Sequence, residues 1–411
     1  MKRRRFVRDL ALGAGFAAAM LGQKAIARTS LAQSKTRHPW VVLYWMPYDN
    51  DLSRFGEPIA DMLAKGTKHS DAVVALQSDY WGDTHMRRRV FANGATQEFE
   101  VTAADSSDIL NFAAYLDWAR TTFEAEHWAV IVVGHGGRIN EISPDDDGAT
   151  RRSRQWMWVD WFADVVSQFN RAIGGRVELL FFQNCHKATL EVVYEVRECA
   201  RYTLASQLLL GAPNYYYEGF LRRLVDPSVD GREAAIAIME SEQTDMYHSL
   251  TLANNRAIAQ IPAMLTKVIQ LLPRQSQIAL PTLPAFRYFG EQHCDLLALL
   301  HCFADLNRPL REAVMEIEDF VQSSAIAHHQ TSGTFYSAGL RRRKSPQEPL
   351  CGLNVYLPDT FAASWGSTAD SAPRDPITRY QFLALYQVVD IVGLYRNIAA
   401  YPLGSAPVIS R

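Results

Sequence analysis

Two apolar runs constrain this chain more than any other feature. Ala129–Val133 is apolar without a break, and Val177–Phe182 is apolar apart from Glu178. A strand with one wet face alternates polar and apolar residues, so runs lacking that alternation predict strands buried on both faces. Such strands need helices above and below them, and the intervening sequence supplies the patterns. Asp51–Ala64 places Leu52, Phe55, Ile59, Met62 and Leu63 at helical spacing, with Asp49 or Asn50 as a cap. Asp108 to about Ala125 does the same with Ile109, Phe112, Leu116 and Trp118, capped by Ser106 or Ser107. Two more helices are predicted over Trp156–Ala172 and Ala188–Glu198. Further strands are predicted at Trp40–Met46, Ala72–Gln77 and Tyr202–Ser206, and Asn93-Gly94 between Arg87–Ala92 and Glu98–Val101 reads as a hairpin turn. This alternation predicts an α/β fold with a mostly parallel sheet. Beyond about Pro227 the pattern is mostly helical, with one late strand at Gly352–Leu357. The expected organisation is an α/β core over residues 38–226 and a largely helical part over 227–411 that completes the same domain.

Reactive residues stand where the two apolar strands end. Ala129–Val133 runs into Gly134-His135-Gly136-Gly137, and Val177–Phe182 runs into Gln183-Asn184-Cys185. Ligands of open parallel sheets bind outside the carboxyl ends of the strands, so both motifs fall at the expected place. A thiolate can attack a carbonyl when an imidazole holds the proton and later returns it to the leaving amine. Cys185 and His135 are the candidates for those roles. Gly136 and Gly137 leave room for a substrate backbone, and the Gly136 and Cys185 N–H groups are candidate donors to an oxyanion. The N-terminus of the helix after Cys185 is expected to favour the thiolate. A lipase-like esterase is excluded, because no Gly-x-Ser-x-Gly elbow occurs in the chain.

Charge divides the chain unevenly. The formal net charge is −2, which argues against a strongly basic nucleic-acid binder. The first 27 residues hold Lys2, Arg3, Arg4, Arg5, Arg8 and Lys24 against Asp9 alone, so the remainder carries −7. Basic residues followed by the short apolar run Leu10–Leu21 and then Ala25-Ile26-Ala27 read as a secretory signal with a small-residue cleavage site. The paired arginines before Phe6 resemble a twin-arginine signal, which exports folded proteins. The expected location is periplasmic or secreted, with no stable membrane insertion after cleavage.

Other motifs carry less. Asp145-Asp146-Asp147-Gly148 reads as a solvated acidic loop; a calcium site is the alternative, without the ligand alternation of an EF-hand. No other cofactor or metal is expected. Arg151-Arg152-Ser153-Arg154 is a solvated basic connection or a processing site. His186 and His328-His329 have no second cluster at metal-ligand spacing. Trp156, Trp158 and Trp161 read as packing, and Arg341-Arg342-Arg343-Lys344 as an isolated basic turn. The five cysteines have no paired spacing that suggests zinc or a disulfide framework.

Taken in order along the chain, the motifs resemble the clostripain family of clan CD cysteine peptidases, relatives of caspases, legumains and gingipains. Val133-Gly134-His135-Gly136-Gly137, Phe182-Gln183-Asn184-Cys185 and Ala205-Ser206 carry the likeness. Tyr48-Asp49-Asn50-Asp51-Leu52, His293-Cys294-Asp295-Leu296-Leu297 and Gly352-Leu353-Asn354-Val355-Tyr356-Leu357-Pro358 extend it. The resemblance implies a caspase-like three-layer α/β/α sandwich and a Cys–His dyad with no obligatory third residue. It implies Cys185 as nucleophile, His135 as general acid/base, and Gly136 with Cys185 as the oxyanion hole. Relatives that cut after Arg or Lys carry an acidic residue two positions before the nucleophile; here that position is Gln183. An amide cannot neutralise a buried cation, so Arg/Lys specificity is not expected. Gln183, Asn184, Ser206 and Tyr215 are the candidate substrate-binding residues, the last within Gly211–Tyr217, which is either an aromatic pocket wall or a packed surface loop. The implied activity is an exported cysteine endopeptidase acting on peptides or proteins. The alternative is an inactive relative that binds peptides or serves as a scaffold.

Overall fold

The computed structural model describes residues 36–146, 154–273, 278–279, 283, 285–333, 335–337, 342–344, 350–358, 376–396 and 398–400. Residues 1–27, where the export signal is expected, Asp147-Gly148 and Arg151–Ser153 lie outside the described residues. The first half of the chain runs β1 (Arg37–Tyr48), α1 (Gly56–Thr67), β2 (Val73–Tyr80), β3 (Arg87–Ala92), β4 (Ala95–Phe99), α2 (Ile109–Thr122) and β5 (Glu124–Val133). It continues with β6 (Glu141–Asp145), β7 (Gln155–Trp158), α3 (Val159–Ala172), β8 (Val177–Gln183), α4 (Leu190–Glu195) and β9 (Tyr202–Ser206). Helices α5 (Tyr217–Arg223) and α6 (Gly231–Ser241) then lead into β10 (His248–Asn254).

A nine-stranded sheet organises the molecule. From one edge its order is Ile326–Ser332, β10, β9, β8, β5, β1, β2, β3 and β4. The five central strands, β9-β8-β5-β1-β2, are parallel, and the pairs outside them are antiparallel. The chain builds outward from β1 in one direction through β2 and in the other through β5, β8 and β9. The crevice where the order reverses, at the ends of β1 and β5, is the place such sheets offer to ligands.

Both faces are covered, as the unbroken apolar runs require. Val41, Leu43, Trp45, Val130, Val132, Leu180 and Phe182 point into one core, where α2, α3 and α4 pack through Phe112, Phe162 and Val193. Their alternates Val42, Tyr44, Met46, Ala129, Ile131, Val133, Leu179 and Phe181 point into the other, against α1, α5 and α6 through Ile59, Phe220 and Ile238. A period of two on each strand thus sorts one apolar run into two cores, which makes the three layers.

Local readings shift where the side-chain logic was incomplete. Asp108 caps α2 by accepting from the Leu110 N–H at 2.9 Å, in place of Ser106 or Ser107. The loop expected over 138–155 contains the β6–β7 hairpin, and α3 begins at Val159 because Gln155–Trp158 is extended. The helix after Cys185 starts only at Leu190 and has six residues, capped by Thr189. The largest correction concerns the second half. Strands β10 and Ile326–Ser332 extend the main sheet, and Ala285–Tyr288, Glu291–Asp295 and Asn354–Tyr356 form a second, three-stranded sheet. His293-Cys294-Asp295 is therefore strand, and Asp295 caps the helix Leu296–Ala304 through the Ala298 N–H.

Candidate active site

Strands β5 and β8 are neighbours, in register so that Val133 faces Gln183. Their pairing carries His135 and Cys185, 50 residues apart in sequence, to one rim of the sheet. The loops that follow are bound to each other. Gly134 N–H donates to the Gln183 carbonyl at 3.2 Å, and Asn184 Nδ2 donates to the Gly134 and His135 carbonyls at 2.8 and 3.2 Å. Gly136 lies against the turn that holds the cysteine: a Cβ there would stand 2.5 Å from the Cys185 carbonyl oxygen and 3.0 Å from Lys187 Cε. Only glycine allows that approach.

The amides around this contact divide into committed and open. Gly137 N–H donates to the Glu141 carbonyl at 3.1 Å, and His186 N–H to the Leu208 carbonyl at 3.0 Å. Among the described residues, no backbone carbonyl outside the helices and strands accepts from the Gly136 or Cys185 N–H, and the Cys185 N–H turns toward its own sulfur. These are the two groups that the sequence singles out as oxyanion donors.

His135 is three-quarters buried, and its Nε2 meets Asp51 Oδ1 at 2.8 Å. Asp51 follows β1, so the pair spans the crevice where the strand order reverses. Burial works to raise the Asp51 pKa, but the hydrogen bond and charge of His135, a backbone hydrogen bond and the charge of Arg154 outweigh it and hold the carboxyl below its usual range. An ionised carboxylate accepts, so His135 Nε2 is the donor of this pair. In the sequence Asp51 falls within Tyr48-Asp49-Asn50-Asp51-Leu52, and nothing local links it to His135. The only available signal was a polar residue after a strand end.

Cys185 is partly buried, and its Sγ engages the loop after β9. The Leu210 N–H donates to Sγ at 3.4 Å, and the thiol lies 3.7 Å from the Leu210 carbonyl. Burial pushes the thiol pKa up, against the Leu210 backbone, the Tyr288 hydroxyl and the charge of Lys187, which pull it down. The expectation of a helix N-terminus favouring the thiolate is thereby corrected: α4 is short, begins five residues on, and burial prevails. Tyr247 also lies close enough to Cys185 for charge on the sulfur to raise its own pKa. Tyr288 comes from the hairpin formed by Ala285–Tyr288 and Glu291–Asp295, and its ring stacks on His186 with centroids 4.6 Å apart. Neither tyrosine was legible as a neighbour of the cysteine, because each lies more than 60 residues from it in sequence.

The remaining candidates take framework positions. Gln183 is buried, and its amide is fully engaged: Nε2 donates to Asn214 Oδ1 at 2.7 Å and Tyr217 Oη at 2.9 Å, and the Tyr216 hydroxyl donates to Oε1 at 2.6 Å. Asn214 passes the network on to Glu242, whose carboxylate also accepts from the Tyr215 and Gln243 N–H groups. Ser206 is buried, with Oγ 3.5 Å from the Leu209 carbonyl. The Tyr215 side chain is exposed. Tyr216 and Tyr217 pack in the core, so the aromatic run Tyr215–Tyr217 splits between surface and interior. Asp145 is buried beside Asp79 and Ser106, and Asp146 pairs with Arg154. Trp161 packs on the core, whereas Trp158 stays exposed. His329 Nδ1 meets Thr251 Oγ1 at 3.0 Å, and among the described residues no three His, Cys, Asp or Glu side chains are grouped to hold a metal.

A family model described as the clostripain family matches residues 44–371. No curated protein matches the chain in sequence. Among solved structures, a secreted C11 cysteine protease from Bacteroides thetaiotaomicron, in complex with an irreversible peptide inhibitor, aligns at 16% identity and a TM-score of 0.63. An inactive zymogen C11 protease from Parabacteroides distasonis aligns at 15% and 0.65. Each alignment covers 86% of this chain and 99% of the other. At such identities the likeness concerns the fold, and it extends over almost the whole of both relatives.

Proposed function

The chain belongs to the clostripain family of cysteine peptidases, and from that premise we propose that it is an exported endopeptidase in which Cys185 attacks the scissile carbonyl while His135 moves the proton. The observation that carries this reading is the docking of the two loops through Gly136, whose missing Cβ lets the Cys185 carbonyl approach. With Nε2–H held by Asp51, His135 Nδ1 is the base. It takes the thiol proton as Sγ bonds to the carbonyl carbon, and the charge on oxygen develops toward the Gly136 and Cys185 N–H groups. The same nitrogen returns the proton to the leaving amine. Water then cleaves the thioester along the same path. Because burial holds the thiol pKa up, the proton leaves during attack and no thiolate need stand preformed.

The saturated amide and phenol partners of Gln183 support a substrate preference other than Arg or Lys, with the Glu242 carboxylate behind them already taken up by Asn214 and by the Tyr215 and Gln243 N–H groups. A guanidinium or ammonium brought there would meet amide and phenol groups already paired with one another. Tyr215, exposed on the loop after β9, remains the candidate wall of the substrate pocket, with the buried Gln183, Asn184 and Ser206 shaping it from behind. Export rests on the basic head and short apolar run of residues 1–27. Among the described residues, no helix is long and apolar enough to cross a membrane.

Cleavage of a mixed peptide library by the wild type and Cys185→Ala tests the reading. Turnover that disappears in the variant, without an Arg or Lys preference in the wild type, is the expected result. Equal turnover by both proteins overturns it. A peptide-binding relative without catalysis is the second reading, favoured by the contact of Cys185 Sγ with Leu210. It predicts no cleavage by either protein and peptide binding by both.

A further inference from the structure

Lys187 is fully buried two residues after the proposed nucleophile, a costly place for an amine. Its Nζ donates to three consecutive carbonyls of the opposing loop: Arg138 at 2.6 Å, Ile139 at 3.3 Å and Gly137 at 3.4 Å. Those three donor sites are all that an ammonium has. Its stem runs past Gly136, where a Cβ would come within 3.0 Å of Cε. The backbone prepares this reach. His186 takes a positive φ of 53°, unusual for a residue with a side chain, and reverses the chain so that Lys187 turns back toward the His135 loop. The His186 and Ala188 amides pin the reversal to the Leu208 and Ser206 carbonyls at 3.0 and 2.9 Å.

Two buried carboxylates complete the arrangement. Glu141 accepts the Arg138 N–H at 2.8 Å and Glu291 the Ile139 N–H at 3.0 Å, so the same loop is held by its amides as well as its carbonyls. Glu291 is anchored in turn by Arg379 Nη1 at 3.1 Å and by the Tyr380 hydroxyl. Burial pulls the Lys187 pKa down to about 8, against the charges of Glu141 and Glu291, which favour the ammonium.

We propose that Lys187 is a positioning residue: it clamps the Gly137–Ile139 carbonyls to the nucleophile turn, and so fixes the Gly136 N–H as oxyanion donor and keeps a positive charge beside Cys185. The proposal rests on the peptidase reading above. A clamp of this kind acts on the transition state more than on substrate binding, since the oxyanion exists only there.

The test compares wild type, Lys187→Met and Lys187→Arg. Met keeps the length of the stem and removes the charge and all three donors. The expected result for Lys187→Met is a fall in kcat of about 100-fold, the scale of a mispositioned or lost oxyanion donor, with KM little changed. The pH midpoint for alkylation of Cys185 by iodoacetamide should move upward, and Lys187→Arg should recover most of both. Unchanged kcat and an unchanged alkylation midpoint in folded Lys187→Met overturn the clamp while leaving the peptidase reading intact. If the wild type cleaves nothing, the peptidase reading fails, and the alkylation midpoint alone decides whether Lys187 acts on Cys185. Should Lys187→Met not fold, Lys187→Gln carries the same two measurements.

Discussion

Two buried polar clusters line the same rim of the sheet and resolve the cost of burial differently. In one, Lys187 stands among the Gly137–Ile139 carbonyls with Glu141 and Glu291 nearby, so a basic group and two acidic groups share one pocket. In the other, Asp49 at the end of β1, Asp79 at the end of β2 and Asp145 at the end of β6 are buried together. The Ser106 N–H donates to Asp79 at 3.1 Å and to Asp145 at 2.9 Å. Burial first, and then the charges of Asp145 and Asp49, push the Asp79 pKa up to about 8. In a pocket holding both signs, opposite charges offset part of the burial cost: Lys187 is pulled down only to about 8. A pocket of acids stays together by retaining protons. The difference assigns the two clusters separate work: the first fixes the loops that carry the proposed chemistry, and the second makes the neighbouring strand ends sensitive to pH.

Four measurements test that difference. The largest effect belongs to what the Lys187 cluster holds in place. Cys185→Ala should remove essentially all library cleavage, and iodoacetamide should modify Cys185 faster than Cys199, Cys294, Cys302 or Cys351. Faster labelling elsewhere would move the nucleophile away from this cluster.

Gly136→Ala comes next, because its new methyl must displace the Cys185 carbonyl, 2.5 Å away. A loss of about 100-fold in kcat/KM is expected; wild-type rates would mean that the loop contact has no part in the chemistry. Asp51→Asn keeps the shape but removes the carboxylate that fixes the His135 tautomer. A decrease of about tenfold in kcat is expected, below the usual acid–base contribution because Asp51 is exposed and acts only through His135.

The smallest effect isolates the acid cluster. The folded-state pKa of Asp79 lies above its unfolded value, so this group's contribution to stability is complete below about pH 4 and is lost as pH rises toward about 8. The urea midpoint should fall across that window, and Asp79→Asn should flatten the slope without abolishing cleavage. A slope that persists in the variant would assign the pH sensitivity to other groups.

How far the sequence could be read follows the range of each interaction. The central strands were legible because burial on both faces leaves a mark in consecutive residues, as in Ala129–Val133. The antiparallel strand Ile326–Ser332 was not, since Ile-Ala-His-His-Gln-Thr-Ser has neither an apolar run nor a clean alternation; pairing with β10 makes it a strand. At the site, Gln183 could be recognised as a missing charge, but its enclosure by Asn214, Tyr216 and Tyr217 could not. Asp51, Tyr288 and Glu291 reach the rim from loops and a hairpin whose positions no local pattern encodes.

The buried parallel strands and the residues standing at their ends are written in local sequence, because strand period and side-chain polarity are properties of neighbours in the chain. Only the tertiary structure decided what those residues meet: Asp51 on His135, Leu210 and Tyr288 on Cys185, and Lys187 across to the glycine loop. Hydrogen bonds, burial and charge act through space over a few ångströms, and the residues they join here are separated by up to more than a hundred positions.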